Sequence, residues 1–81
     1  CKEKIKFNIL QKSPSEIIYS YSHRFDPPNN KITLNAVVRS IFTGQDHYLF
    51  VYKRAMNGKL KQKDILYWKG QLEKIKLCNE T

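Results

Sequence analysis

Lys31-Ile32-Thr33-Leu34-Asn35-Ala36-Val37-Val38-Arg39-Ser40-Ile41-Phe42-Thr43-Gly44-Gln45-Asp46-His47-Tyr48-Leu49-Phe50-Val51-Tyr52-Lys53-Arg54 decides the fold class, because it reads as two strands joined by a turn. From Lys31 to Phe42, the apolar residues Ile32, Leu34, Ala36 and Val38 occupy alternate positions and so share one face of a strand. Thr43-Gly44-Gln45-Asp46 is a turn signal, since glycine supplies the positive φ that tight turns use. From His47 to Arg54 the chain is nearly continuously apolar around Tyr48-Leu49-Phe50-Val51-Tyr52. That pattern predicts a central strand covered on both faces.

Downstream, Asn57-Gly58 is a strong hairpin signal, because both residues tolerate positive φ. It predicts a return strand through Leu60 to Ile65-Leu66-Tyr67-Trp68. Gln71 to Cys78, with Leu72, Ile75 and Leu77, reads equally as a short helix or a last strand. Upstream, Ile5, Phe7 and Ile9 alternate with Lys4, Lys6 and Asn8 as in a half-buried strand. Ser13-Pro14-Ser15-Glu16 has the form of a capping box with proline at the first helical position. Ile17, Ile18, Tyr21 and Phe25 would then share a helical face. Ile17, Tyr19, Tyr21 and Phe25 also alternate as a strand, so residues 15–25 fit either element. Pro27-Pro28-Asn29-Asn30 ends whichever forms. The expected fold is one domain over residues 1–81, mainly β with one or two short helices, arranged as a small antiparallel meander or an OB-like barrel. The alternative is α+β, a helix packed on a four-stranded antiparallel sheet.

A chain of 81 residues buries only roughly 60–65% of its unfolded surface and gains little margin from one core. Its apolar content of 41% is that of a globular domain rather than a disordered tail. No apolar run nears the ~20 residues of a membrane span. The net charge of +8 is uneven. Lys2, Lys4, Lys6 and Lys12 face only Glu3, the middle of the chain is balanced, and eight cations from Lys53 onward face Asp64, Glu73 and Glu80. Such a balance favours anionic partners and fast encounter.

Cys1 and Cys78 lie near the two ends. A bridge between them would close almost the whole chain, worth at most ~4–5 kcal/mol in the loop-entropy model, and would imply an oxidising compartment. Two unrelated thiols, or a lipid-modified Cys1 of a bacterial surface lipoprotein, are the other readings. Asn79-Glu80-Thr81 is an N-glycosylation sequon.

Catalytic chemistry finds no pattern. His23, His47 and the two cysteines lack zinc-ligand spacing, so no metal and no other cofactor is expected. Nucleophile elbows, paired carboxylates and phosphate-cradling glycine loops are missing from the sequence. Nucleic-acid binding has more support: Lys59, Lys61 and Lys63 would project from one side of the segment after the hairpin. Tyr48, Phe50, Tyr52, Tyr67 and Trp68 would serve as stacking platforms, or else as core.

Cys1 followed by an alternating strand, the strand from Ile32 to Gly44, Tyr48-Leu49-Phe50-Val51, the Leu60 strand to Trp68, and Trp68-Lys69-Gly70-Gln71 closing on Cys78 together resemble the netrin-like module. That module occurs in netrins, complement components, secreted Frizzled-related proteins and tissue inhibitors of metalloproteinases, and the resemblance is greatest to the secreted Frizzled-related type. It covers about half the chain and implies an OB-like five-stranded barrel in a secreted protein that binds proteins or heparan sulfate. Metalloproteinase inhibition is not implied, because Lys2 follows Cys1 and the inhibitors' Cys-x-Cys start is missing. The expected function is a non-catalytic extracellular binding module that contacts an acidic protein or a sulfated glycosaminoglycan through Lys53, Arg54, Lys59, Lys61, Lys63, Lys69, Lys74 and Lys76. A nucleic-acid-binding OB-like domain and a bacterial or phage surface lipoprotein are the alternatives.

Overall fold

The computed structural model describes residues 4–25 and 32–76, with the side chains of residues 7–24 and 32–76. Four strands, β1 (Lys4–Ser13), β2 (Glu16–Phe25), β3 (Ile32–Phe42) and β4 (His47–Met56), are followed by one helix, α1 (Gln62–Glu73). The strands form an open antiparallel sheet in the order β1-β2-β3-β4. The meander is thus present, with the helix-on-sheet arrangement rather than a closed barrel.

Of residues 15–25, Glu16–Phe25 form a strand. Pro14 and Ser15 form the two-residue loop of the β1–β2 hairpin, with Ser13 opposite Glu16. The alternation of β-branched and aromatic Ile17, Tyr19 and Tyr21 prevails over the apparent capping box. Glu16, the box's acidic partner, is instead bound to Arg39, at 2.7 Å from Nε. A bulge at Leu10 shifts the register of β1 against β2 between Ile9 and Gln11. Gly44 takes φ +89° in the β3–β4 turn, as expected for that sequence.

Two sequence readings are corrected. β4 is an edge strand, paired only with β3. Its continuous apolar run arises because Phe50 and Tyr52 pack toward the helix, whereas Leu49 and Val51 stand exposed on the opposite face. The segment after Asn57-Gly58 is not a return strand. Gly58 does adopt φ +109°, but the chain leaves that turn into α1. Asp64 sits in the helix's first turn, Ile65, Trp68 and Leu72 recur at helical spacing, and Lys69 pairs with Glu73 one turn on at 2.9 Å. These features together favour helix.

Helix α1 lies over β3 and β4. Ile18, Val37, Leu60 and Leu72 form the buried cluster, with Leu10, Phe50, Tyr52, Met56, Ile65 and Trp68 packed against it. Tyr52 and Trp68 stack with ring centroids 3.9 Å apart. Each fully buried aliphatic side chain here is worth roughly 1.5–3 kcal/mol. Two polar residues of β3 fix the helical segment at its two ends. Asn35 Nδ2 donates to the Gly58 carbonyl at 2.9 Å, and its Oδ1 accepts from the Leu60 N–H at 3.2 Å. Arg39 Nη1 donates to the carbonyls of Leu72 at 2.9 Å and Ile75 at 2.7 Å. An arginine at a helix C-terminus both satisfies orphan carbonyls and opposes the negative end of the dipole.

Strands of 10–11 residues reach about 33 Å, whereas a helix of 12 residues spans about 18 Å and is ~10 Å wide. One such helix covers about two strands over half their length. The rest of its own face, and all of the opposite face, receive no second layer from the described residues.

Candidate binding surfaces

The register assigns each strand residue to a face. Ile18, pairing with Arg39, and Val37, pairing with Tyr52, point to the helix. Their sequence neighbours Ile17, Tyr19, Tyr21, Leu34, Ala36, Val38, Leu49 and Val51 therefore point away from it. Ala36 and Val38 are buried in this outer face only by their neighbours. Around them Phe7, Ile9 and Leu49 are 67%, 59% and 55% exposed. Phe7 leans on Tyr19 and Tyr21 with centroids 6.2 and 5.8 Å apart. Lys12, opposite Ile17, and Lys53, opposite Ala36, share this face and are exposed. Among its described residues there is no aspartate or glutamate: Glu16 points to the helix side, bonded to Arg39, and Asp46 lies in the β3–β4 turn.

The eight basic residues expected to form one site are separated by the fold. Lys53 lies on the outer face and Arg54, opposite Asn35, on the helix side. Arg54, Lys59, Lys61 and Lys63 are exposed around the β4–α1 connection and the helix N-terminus, without ion pairs among the described residues. Lys69 is engaged with Glu73. Lys74 and Lys76 follow the helix C-terminus, three turns, or roughly 16 Å, from Lys63. Cys1, Cys78 and Asn79 lie outside the described residues. The expected aromatic platform is also divided. Phe50, Tyr52 and Trp68 belong to the core packing, and Tyr67 meets Trp68 edge-on at 5.3 Å. Tyr48 and Tyr67 stay exposed, and a further aromatic group, exposed Phe7 against half-buried Tyr19 and Tyr21, lies on the outer face. Its signal was legible, since Phe7 alternates with Ile5 and Ile9, but alternation alone does not reveal which face remains open.

A concavity lies on the helix side, where α1 leaves β1 and β2 uncovered. Asn8, Ser20, Ser22 and Asn35 form its floor, and Lys59, Leu60, Gln62 and Ile65 its wall, around a cleft of about 420 Å³. A Ser–His contact occurs elsewhere, between Ser40 Oγ and His47 Nε2. Ser40 is buried, and the imidazole stacks on Phe42 at 4.3 Å, which makes the pair a packing feature of the β3–β4 turn. Among the described residues, no group of three or more His, Cys, Asp or Glu side chains is placed to hold a metal ion. No helix among them is long and apolar enough to cross a membrane.

No family model, curated protein or solved structure matches the chain. The resemblance to the netrin-like module rests on the sequence motifs alone, and its Trp68-Lys69-Gly70-Gln71 element lies within α1.

Proposed function

We propose that this chain is a non-catalytic binding module whose outer sheet face docks an acidic protein partner. The observation that carries the reading is the composition of that face: exposed Phe7, Ile9, Leu49 and Val51 beside Lys12 and Lys53, with no carboxylate among its described residues. Contiguous exposed apolar surface marks interaction sites. A second copy of the chain is a poor occupant, because it would set Lys53 and the net charge of +8 against themselves. A partner presenting apolar groups among carboxylates matches both features. Arg54, Lys59, Lys61 and Lys63 lie off this face and would contribute steering rather than contact.

A single strand of nucleic acid fits less well. The rings of Phe7, Tyr19 and Tyr21 lean on one another at 5.8–6.4 Å, so their faces are partly occupied and do not form separate stacking steps. A sulfated glycan offers no apolar complement to Leu49 and Val51. An extracellular setting belongs to the same reading and rests on Cys1 and Cys78. Intact mass with and without reduction tests their pairing.

The test compares wild type, Val51→Glu, Lys53→Glu and the double variant Lys61→Glu/Lys63→Glu in one quantitative interaction screen, with circular dichroism as the folding control. Acidic proteins bound by wild type should be lost from both sheet variants and retained, with slower association, by the double variant. The reading fails if both sheet variants keep those partners, or if heparin or single-stranded DNA is bound through Val51 and Lys53 instead. It also fails if sedimentation shows wild type dimerising through this face.

A further inference from the structure

We infer that the cleft beside the helix N-terminus is a binding site for a small oxyanion ester, a phosphate- or sulfate-bearing sugar of about one ring. The site lies on the opposite side of the sheet from the docking face, so the inference stands apart from the proposed protein partner.

The floor carries the argument. Ser20 is 6% exposed, pairs with Val37 and points to the helix side, and its hydroxyl has no hydrogen-bond partner among the described residues. Every fully enclosed polar side-chain atom among the described residues does have a partner, so the Ser20 hydroxyl must open into the cleft that it lines. A hydroxyl that is nearly buried yet unpartnered is a donor held ready in a place where water or a ligand must satisfy it. Ser22, one pleat along the same strand, lines the same cleft, and its hydroxyl has no hydrogen-bond partner among the described residues.

The wall adds charge and aligned donors. Lys59 and Gln62 line the cleft from the helical side. Lys61, at the N-cap, gives no side-chain cap. Its carbonyl accepts the N–H groups of Asp64 and Ile65, both at 3.0 Å, and the Gln62 and Lys63 N–H groups have no acceptor among the described residues; of these two residues, Gln62 lines the cleft. Free first-turn N–H groups at the positive end of the helix dipole favour an anion. No carboxylate is among the residues that line the cleft; Asp64, in the same first turn, lies outside that lining.

Shape and inventory then select the class. The cleft holds about 420 Å³, within the range of small-molecule pockets and well above what a bare tetrahedral ion occupies. Two hydroxyls and the Asn8 and Gln62 carboxamides both donate and accept, which suits a ring bearing several hydroxyl groups. The ammonium and free N–H groups suit its ester oxygens. Leu60 and Ile65 offer the ring an apolar side.

The experiment is an amide-resolved NMR titration of the intact chain with glucose 6-phosphate, N-acetylglucosamine 6-sulfate, inorganic phosphate and unesterified glucose. Saturable shifts are expected at Ser20, Ser22 and residues 59–63 with at least one ester, stronger than with phosphate or glucose alone. The preferred ester identifies whether a phosphorylated metabolite or a sulfated glycan unit is the source. Ser20→Ala, which removes only the hydroxyl, and Lys59→Gln, at an exposed position, should each weaken binding about tenfold with the fold retained. The inference is overturned if the esters leave these amides unmoved, if shifts follow all lysines without saturation, or if both variants bind like wild type.

Discussion

The guanidinium of Arg39 joins the end of helix α1 to the sheet by donating to the Leu72 carbonyl at 2.9 Å. The same group holds Glu16 of the neighbouring strand at 2.7 Å, so one side chain ties β2, β3 and the helix C-terminus together. Both partners are largely shielded, with side-chain exposures of 14% and 21%. Removing the cation takes the partner from the Glu16 carboxylate and from the Ile75 carbonyl, and leaves the Leu72 carbonyl with backbone N–H donors alone.

Arg39→Met should therefore destabilise the domain by about 2–4 kcal/mol, the range for breaking a shielded, hydrogen-bonded charge pair. Urea unfolding measures this, with Lys69→Ala as the contrast. Lysine 69 pairs only with Glu73 on the helix surface, and losing it should cost no more than about 0.5 kcal/mol. Equal effects of the two variants would refute the tie.

Asn35 performs the corresponding task at the other end, with Gly58 and Leu60 as its partners. Asn35→Ala should cost about 1–3 kcal/mol, because it strands the Leu60 N–H in a buried position. The loss should be local. Hydrogen exchange at residues 58–62 is expected to accelerate well before that in β2 and β3, and uniform acceleration would show that the asparagine does not act as a clamp.

How far the sequence reveals these features depends on the range of each signal. Period-two alternation is local, and it gave β1 and β3 with ends within a few residues; the continuous apolar run gave β4 its extent but not its edge position. The choice between helix and strand at residues 15–25 turned on Glu16, whose partner Arg39 lies on the next strand but one hairpin away in sequence. Asn57-Gly58 correctly marked a turn, but a turn does not state which element follows it. The spacing of Ile65, Trp68 and Leu72 held that information and was outweighed by the hairpin signal. The basic residues were visible as a set only in one dimension. In three, β4 sends Lys53 and Arg54 to opposite faces and the helix carries Lys74 three turns from Lys63. The open outer face was the least legible feature, because an apolar strand face looks the same in sequence whether or not a second layer covers it.

That openness has a measurable consequence independent of any partner. Leu49→Thr with Val51→Thr keeps strand-favouring side chains at one position and removes apolar surface at both. Since both residues are exposed, stability should change by less than about 1 kcal/mol. Binding of an apolar fluorescent dye to the native protein should fall and solubility should rise. A loss of several kcal/mol would mean that the face is packed in solution.

The three glycines separate backbone effects from packing, since a methyl group added at any of them meets nothing within 4 Å. Gly70 lies inside α1 with ordinary helical φ, where glycine is less favourable than alanine by about 0.8–1.0 kcal/mol. Gly70→Ala should therefore stabilise the domain by roughly 0.5–1 kcal/mol. Gly58 sits at φ +109°, a conformation that costs a side-chain-bearing residue about 1 kcal/mol or more. Gly58→Ala should destabilise by that amount despite the open space around it, and it should also displace the carbonyl that Asn35 holds. In a domain of this size each kcal/mol moves the thermal midpoint by about 4–8 °C, so the two variants should shift it in opposite directions. Shifts of the same sign would contradict either the helix at residue 70 or the left-handed turn at residue 58. Hydrogen exchange at those two sites would show which.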